Sequence, residues 1–274
     1  MTDDASETTP VGRRAIGIDV GGSGIKAAVV DVGAGRLTSE RLRVPTPEPS
    51  TPEPIMASIA RLVRRLIKSE GLDDVVPIGI GLPGVTLGGA LRFAGNIDQA
   101  WIDFPVVERL TRVLKRPIFI INDADAAGIA EMRFGGGKGR SGKVIFLTLG
   151  TGVGSGVFND GVLVPNTEFG QMEIRGRPAE RRSAAAARVK RGLSWKAWAS
   201  DLDEHLDRIQ QLMWPDLMIL GGGVSKSPEK YIPRLTVACD IVPAELRNDA
   251  GIIGAAIVAA ESAVEPTGTP ITND

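Results

Sequence analysis

The sequence predicts an α/β protein built in two halves. Apolar strand-like runs alternate with segments of helical period along the whole chain. Two stretches, "IGIDVGGSGIKAAVVDVG" and "IFLTLGTGVGSGVFNDG", share one plan: apolar strand, glycine-rich turn, second apolar strand, and a closing Asp with Gly. A chain of 274 residues, 43% hydrophobic and 24% charged, is long enough to bury two cores of ordinary composition.

The elements follow in order. The ends, "MTDDASETTPVG" and "SAVEPTGTPITND", are polar and rich in Pro and Thr, so 1–13 and 265–274 are expected to be flexible tails. After the first glycine hairpin, "PTPEPSTPEP" (45–54) reads as a stiff connector that starts no helix before its last proline. "IMASIARLVRRLIKSEG" then sets Ile55, Ile59, Leu62, Val63 and Leu66 at helical spacing, with Gly71 where a C-terminal cap belongs. A strand in "VVPIGIGLPG", a glycine-rich loop and a helix near 103–115 come next. The strand "RPIFIIND" runs directly into the helix "ADAAGIAEMRFGGG". The second hairpin, a helix-rich segment from about 184 to 213, the strand "DLMILGGG" and a final Ala/Ile-rich helix complete the chain. The expected division is an N-terminal α/β domain over 14–121 and a C-terminal one over 122–250, with the last helix, about 251–264, packing back on the first.

Composition narrows the function classes. The N-terminus lacks the apolar core of a signal peptide and no run approaches the roughly 18 apolar residues that span a bilayer, so a cytoplasmic protein without a membrane partner is expected. The net charge of −1 argues against a nucleic-acid binder acting through overall charge. Cys239 is the single cysteine, which rules out an internal disulfide or a cysteine-cluster zinc site and suggests a small core residue. His205, the sole histidine, lies in the polar "SDLDEHLDR" and is expected at the surface; Trp195 and Trp198 fit a helical core pattern as easily as a stacking platform.

Gly22, Gly24 and Ala27 satisfy the G-x-G-x-x-[G/A] spacing of a dinucleotide loop. Such a loop opens a helix, whereas these glycines lead into "IKAAVVDV", a second strand. No G-x-x-x-x-G-K-[ST] precedes a helix either. What remains is a hairpin whose turn brings backbone N–H groups close to an anion, and the second hairpin at Gly150, Thr151 and Gly152 supplies its counterpart.

The motifs "GIDVGGSGIK", "GIGLPG", "IINDADAAGIAE", "LTLGTGVGSG", "NTEFG" and "LGGGVS" occur in an order that resembles the ROK family of sugar kinases. The resemblance covers the chain between the tails and is nearest to the branch of polyphosphate glucokinases and polyphosphate/ATP glucomannokinases. It implies an actin-like (ribonuclease H-like) two-domain fold of the ATPase and sugar-kinase type, with a cleft between the domains. Two departures accompany it: there is no cysteine cluster for structural zinc, and Glu168-Phe169-Gly170-Gln171 stands where Glu-x-Gly-His is usual.

The resemblance implies that Asp123 orients and deprotonates a sugar 6-hydroxyl; read from the residues alone, Asp123 is equally a helix N-cap. It implies sugar contacts from Gly84, Asn96, Asn122, Asp123, Glu168 and the variant Gln171, while Asn96 and Gln171 also read as loop amides, and Pro83 and Gly84 as a turn. On the donor side, Asp19 is expected to hold Mg2+ through water. Gly21, Gly22, Ser23 and Gly24, together with Thr151 and Gly152, would clasp phosphates, and Gly221, Gly222 and Gly223 would admit a nucleotide. Lys26 reads either as a neutralising charge or as a solvated strand residue.

Basic residues dominate "RGRPAERRSAAAARVKRGLSWK" (175–196), and Lys138, Arg140 and Lys143 form a second group. The run reads either as a solvated helix face or as a polyphosphate track through Arg181, Arg182 and Lys190. The expected activity is transfer of a phosphoryl group from polyphosphate or ATP to glucose, and to mannose. The competing readings are a sugar- or polyphosphate-responsive sensor and a sugar-responsive repressor. The repressor is disfavoured because only about fourteen residues precede the first strand. Monomer and homodimer stay open.

Overall fold

In the computed structural model, which describes residues 14–73, 75–95 and 97–263, the chain opens with the hairpin β1 (Arg14–Gly21) and β2 (Gly24–Asp31). β3 (Arg36–Leu37) and β4 (Leu42–Val44) pair with β2, and α1 (Pro52–Glu70) leads to β5 (Ile78–Leu82). The short hairpin β6 (Thr86–Leu87) and β7 (Ala90–Leu91), then α2 (Val106–Leu114), precede β8 (Ile118–Asn122). The sheet runs β3-β2-β1-β5-β8, with β1 antiparallel to β2 and parallel to β5, and β5 parallel to β8. The expected tails 1–13 and 265–274, and Asn96, lie outside the described residues.

From β8 the chain passes straight into α3 (Asp123–Phe134) and the second hairpin, β9 (Lys143–Leu149) and β10 (Val153–Asn159). β11 (Val162–Val164), the small hairpin β12 (Glu173–Ile174) and β13 (Arg177–Pro178), and the helices α4 (Glu180–Ser183), α5 (Ala185–Lys190) and α6 (Trp195–Met213) follow. β14 (Leu217–Gly222), β15 (Asp240–Pro243) and α7 (Ala250–Ser262) end the described chain. The second sheet, β11-β10-β9-β14-β15, repeats the first: a central antiparallel hairpin, then two parallel strands.

Alternation along β1 and β5 explains how the layers stack. Ile16, Ile18, Val20, Ile78, Ile80 and Leu82 point to one face, where they form a core with Ile55, Ile59, Leu62, Val63 and Leu66 of α1. The opposite positions are small: Ala15, Gly17 and Gly79. On that side α7 lies so close that a Cβ on Gly17 would stand 1.9 Å from the Ile252 carbonyl oxygen, and one on Gly79 1.8 Å from that of Ala255. α3 crosses α7 equally closely, with Gly254 against the Ala126 carbonyl. α3 also packs through Ala127, Ile129 and Met132 on the second sheet, whose other face is covered by α6. Buried Glu131 ties the end of α3 to the loop before α7, accepting hydrogen bonds from the backbone N–H groups of Gly136, Glu245 and Leu246 at 3.0, 3.1 and 2.8 Å.

Local expectations met the structure with two differences. α1 starts at Pro52 rather than after Pro54, because the first helical positions have no N–H partner to lose and a proline is tolerated there; it ends, as expected, on Gly71 in the left-handed conformation at φ 58°. Cys239 is only partly buried, at the rim of the second core. Among the described residues no helix is long and apolar enough to cross a membrane.

The close crossing of α3 and α7 makes one substitution diagnostic. Alanine is favoured over glycine inside a helix by about 1 kcal/mol. At Gly254 the added methyl meets backbone, so Gly254→Ala should instead destabilise by about 2–3 kcal/mol in urea unfolding.

Candidate active site

Both hairpin turns open into one cavity of about 310 Å³, floored by the junction of β8 and α3. In the first hairpin Gly21 pairs with Gly24, leaving Gly22 and Ser23 as the exposed turn; in the second, Leu149 pairs with Val153 across Gly150, Thr151 and Gly152. Gly21, Gly22, Ser23, Thr151 and Gly152 all line the cavity, joined by Gly222 and Gly223 from the end of β14. Gly222 has φ 83°, and a Cβ there would stand 2.3 Å from the Leu149 carbonyl oxygen, so the β14 loop lies tight against the second hairpin. Gly221 lines a smaller adjoining cavity with Asp19 and Asp123. Gly24 lines neither: it faces the Arg43 guanidinium, whose Nη2 donates to the Ser23 carbonyl at 3.2 Å.

Asp19 and Lys26 are direct cross-strand partners on β1 and β2, and Lys26 Nζ donates to Asp19 Oδ2 at 2.7 Å. Lys26 is thus held in an ion pair at the cavity wall rather than standing free in solvent. Asn122, not Asp123, caps α3: its Oδ1 accepts from the N–H groups of Ala124 and Asp125, both at 2.9 Å. Its Nδ2 donates to the Gly84 carbonyl at 3.0 Å and to Glu168 Oε1 at 3.3 Å. All four hydrogen-bonding positions of this amide are thereby engaged, so Asn122 fixes Gly84 and Glu168 around the floor. Asp123, released from capping, projects into the cavity from the first helical position. Gly81 and Gly154 leave it room: a Cβ on Gly81 would lie 3.4 Å from Asp123 Cα, and one on Gly154 4.0 Å from its Oδ1.

The carboxylates share a poorly solvated space. Burial, then the charge of Asp19, pushes Asp123 up to about 7. Burial likewise raises Asp125 to about 7; its Oδ2 accepts the Asn166 N–H at 2.7 Å. Glu168 rises to about 7 through burial and the charges of Asp123, Asp125 and Glu180. Glu180 was visible in the sequence only as the lone acid in the basic run. It completes the cavity wall, accepting the Val153 N–H at 3.0 Å and the Gln171 side-chain amide at 3.1 Å. Gly150, marked in the sequence with Thr151 and Gly152, also lines the cavity, as do Thr148, Gly154 and Asn248, which were not singled out there.

Several expected residues sit elsewhere. None of Arg181, Arg182 and Lys190 lines the cavity. Arg182 pairs with the nearly buried Asp201, which also takes Arg191 at 2.6 Å, and lies 3.7 Å from Glu204. Arg175 bonds Glu204 at 2.7 Å, so acids of α6 pair with Arg175, Arg182 and Arg191 of the basic run. His205 is not at the surface: it is 1% exposed, with Nδ1 2.9 Å from Ser183 Oγ and Nε2 3.0 Å from the Phe169 carbonyl oxygen. It occupies the inward face of α6, which the polar residues around it in sequence disguise. Burial lowers its pKa, so the ring is neutral and ties the 168–171 loop to α4.

A pair of sheets of equal topology, with opposed glycine hairpins over an acidic floor, defines the actin-like fold class to which ATPases and sugar kinases belong. The chain belongs to the ROK family, whose family model matches residues 15–172. It is 42% identical over 246 residues to polyphosphate glucokinase of Mycobacterium tuberculosis, covering 89% of this chain and 91% of that protein. It superposes on the crystal structure of inorganic polyphosphate/ATP-glucomannokinase from Arthrobacter sp. strain KM with a TM-score of 0.88 and 45% identity, covering 91% of this chain and 99% of the other. A ROK family glucokinase from Streptomyces griseus, solved with glucose and AMPPNP, matches at a TM-score of 0.77 and 26% identity, covering 90% and 99%.

The raised carboxyls have a thermodynamic signature. Native Asp123 keeps until about pH 7 a proton that the unfolded chain releases near 3.8, so this group's stabilisation is complete at acid pH and lost as pH rises through 7. Asp123→Asn, which has no charge to bury, should therefore raise the Tm of the ligand-free protein above pH 7. The gain should shrink toward pH 4 in thermal melts across that range.

Proposed function

We propose that this chain is a hexose kinase that transfers a phosphoryl group from inorganic polyphosphate or ATP to the 6-hydroxyl of glucose, and of mannose. The observation that carries the reading is Asp123, uncapped at the start of α3, with a pKa raised to about 7, on the floor of a cavity flanked by two glycine hairpins. Likeness to a polyphosphate glucokinase and to a polyphosphate/ATP-glucomannokinase supports the choice of donor and acceptor.

In this reading Glu168, Gln171, Asn96 and the backbone at Gly84 hold the sugar hydroxyls, and Asn122 positions Gly84 and Glu168. Asp123 takes the proton of the 6-hydroxyl as its oxygen bonds to the terminal phosphorus; the bond from that phosphorus to the bridging oxygen breaks, and the shortened polyphosphate or ADP leaves with the electron pair. A carboxyl titrating near 7 suits this work, being both ionised and basic close to neutral pH. The turn N–H groups of Gly22, Ser23, Thr151 and Gly152 and the ammonium of Lys26 face the phosphates. Gly221, Gly222 and Gly223 leave space for the nucleoside when ATP is the donor.

Mg2+ fits the residues present. Among the described residues no group of three or more His, Cys, Asp or Glu forms a cage, but Asp19 stands at the cavity edge as the carboxylate that the first hairpin contributes to its lining. That suits a cation that keeps most of its shell as water and phosphate oxygens. When bound, the ion would supply neutralisation of phosphate charge.

A coupled assay for glucose 6-phosphate with ATP or polyphosphate tests the activity; absence of product with either donor would overturn it. Asp123→Ala should lower kcat by about 100-fold or more with a cooperative melt retained. Wild-type kcat/KM for the sugar should fall on the acid side of an apparent pKa near 7 that belongs to the Asp123, Asp125 and Glu168 group.

Gln171 replaces a histidine and its amide is already held by Glu180. Discrimination at the sugar 2-position should therefore be weak, with glucose and mannose within about tenfold in kcat/KM, in line with the 1–3 kcal/mol typical of small contact differences.

A further inference from the structure

The loop before α7 connects the cavity to a second opening. Asn248 lines the main cavity, the smaller one of about 110 Å³ beside Asp19 and Asp123, and an open groove of about 570 Å³. Arg247 lines both the small cavity and the groove, and Lys26 both the main and the small cavity. Cationic side chains therefore mark the route at each stage: Lys26, then Arg247, then Arg36 and Lys226 in the groove.

The groove is electrostatically unbalanced. Arg36, Lys226 and Arg247 are exposed, and none of their side chains makes a hydrogen bond or ion pair among the described residues. Arg41 is already matched by Asp249 at 2.5 Å, which leaves Glu245 as the carboxylate facing them. Converging like charges repel, and an anion laid between them removes that cost. The start of α7 adds to the field, because the 13-residue helix has no side-chain cap, and Ala250 and Gly251 line the small cavity with their end of the helix. Arg247 itself has φ 52°, which directs the chain through a left-handed turn between the groove and the helix.

We propose that this groove holds the distal phosphates of a linear polyphosphate whose terminal phosphate lies between the two hairpins. The inference rests on the polyphosphate-donor reading. A nucleotide ends in a neutral nucleoside, whereas polyphosphate continues as an unbroken row of anions that must leave the reaction cavity along a cationic wall. The groove supplies that wall; in the run 175–196, Arg175, Arg182 and Arg191 are taken up by acids of α6, and the one residue of the run that lines the cavity is a carboxylate, Glu180.

The test compares wild type with the double variant Arg36→Glu and Arg247→Glu, and with Lys226→Glu, using long-chain polyphosphate, tripolyphosphate and ATP as donors to glucose. The double variant should raise KM for long-chain polyphosphate by about tenfold, with tripolyphosphate and ATP changed less than about twofold, and the difference should shrink as salt is added. A milder pair, Arg36→Gln with Arg247→Asn, keeps a residue suited to the left-handed backbone and should show the same order of effects at reduced size. Equal changes for all three donors, or none for the long chain, would overturn the groove while leaving the donor reading intact. If wild type uses ATP but neither uses nor binds long-chain polyphosphate, the donor reading and the groove fall together.

Discussion

The contact on which the rest depends is backbone against backbone: carbonyl groups of α7 seated on the glycines of β1 and β5, and the Ala126 carbonyl of α3 seated on Gly254. No side chain separates these elements, so the two helices lie as close as main chains allow and are held by two sheets at once. Interiors packed to this density transmit displacement rather than absorb it. The same arrangement sets Gly251, at the start of α7, against Asp19, where a Cβ would lie 3.2 Å from the carboxylate carbon. It also holds the first turn of α3 beneath both hairpins. Position of the candidate base, of its neighbouring carboxylate and of the two glycine turns thus follows from one crossing of small residues.

That geometry concentrates acids. Asp123, Asp125 and Glu168 are each raised to about 7, chiefly by burial, and the charges of Asp19 and Glu180 add to the cost. A fold selected for stability alone would place amides or apolar groups here; proteins accept such a cost where a site needs a base that titrates near neutrality. Lys26 offsets part of it from the cross-strand position, and Asn122 keeps the cluster in order by satisfying two helix N–H groups, the Gly84 carbonyl and Glu168 together.

Charge elsewhere is redistributed in ways that chain order hides. Asp201 and Glu204, separated from Arg182 and Arg175 by whole helices, pair with part of a run that looks strongly basic in one dimension. Arg36, Lys226 and Arg247, far apart in sequence and unremarkable there, meet in one groove. His205 has acidic neighbours in sequence, yet its position on α6 turns it inward to Ser183 and Phe169. In each case exposure and pairing are properties of long-range neighbours, and the residue type carries no record of them.

What the sequence by itself determined is what operates over a few residues. Period-2 and helical patterns located the strands and helices, and the glycine turns followed by strands identified hairpins rather than dinucleotide loops. The Ile/Gly alternation of "IGIDVG" and "IGIGL" already carried the small face that α7 requires, and the order of motifs was sufficient to indicate the ROK family. Only the tertiary structure decided that Asn122 rather than Asp123 caps α3, that Glu180 joins the cavity, and which arginines keep an unmatched charge. Hydrogen-bond competition, desolvation and ion pairing act between groups brought together by folding, as between His205 and the Phe169 carbonyl, 36 positions apart, and none of these is expressed in local pattern.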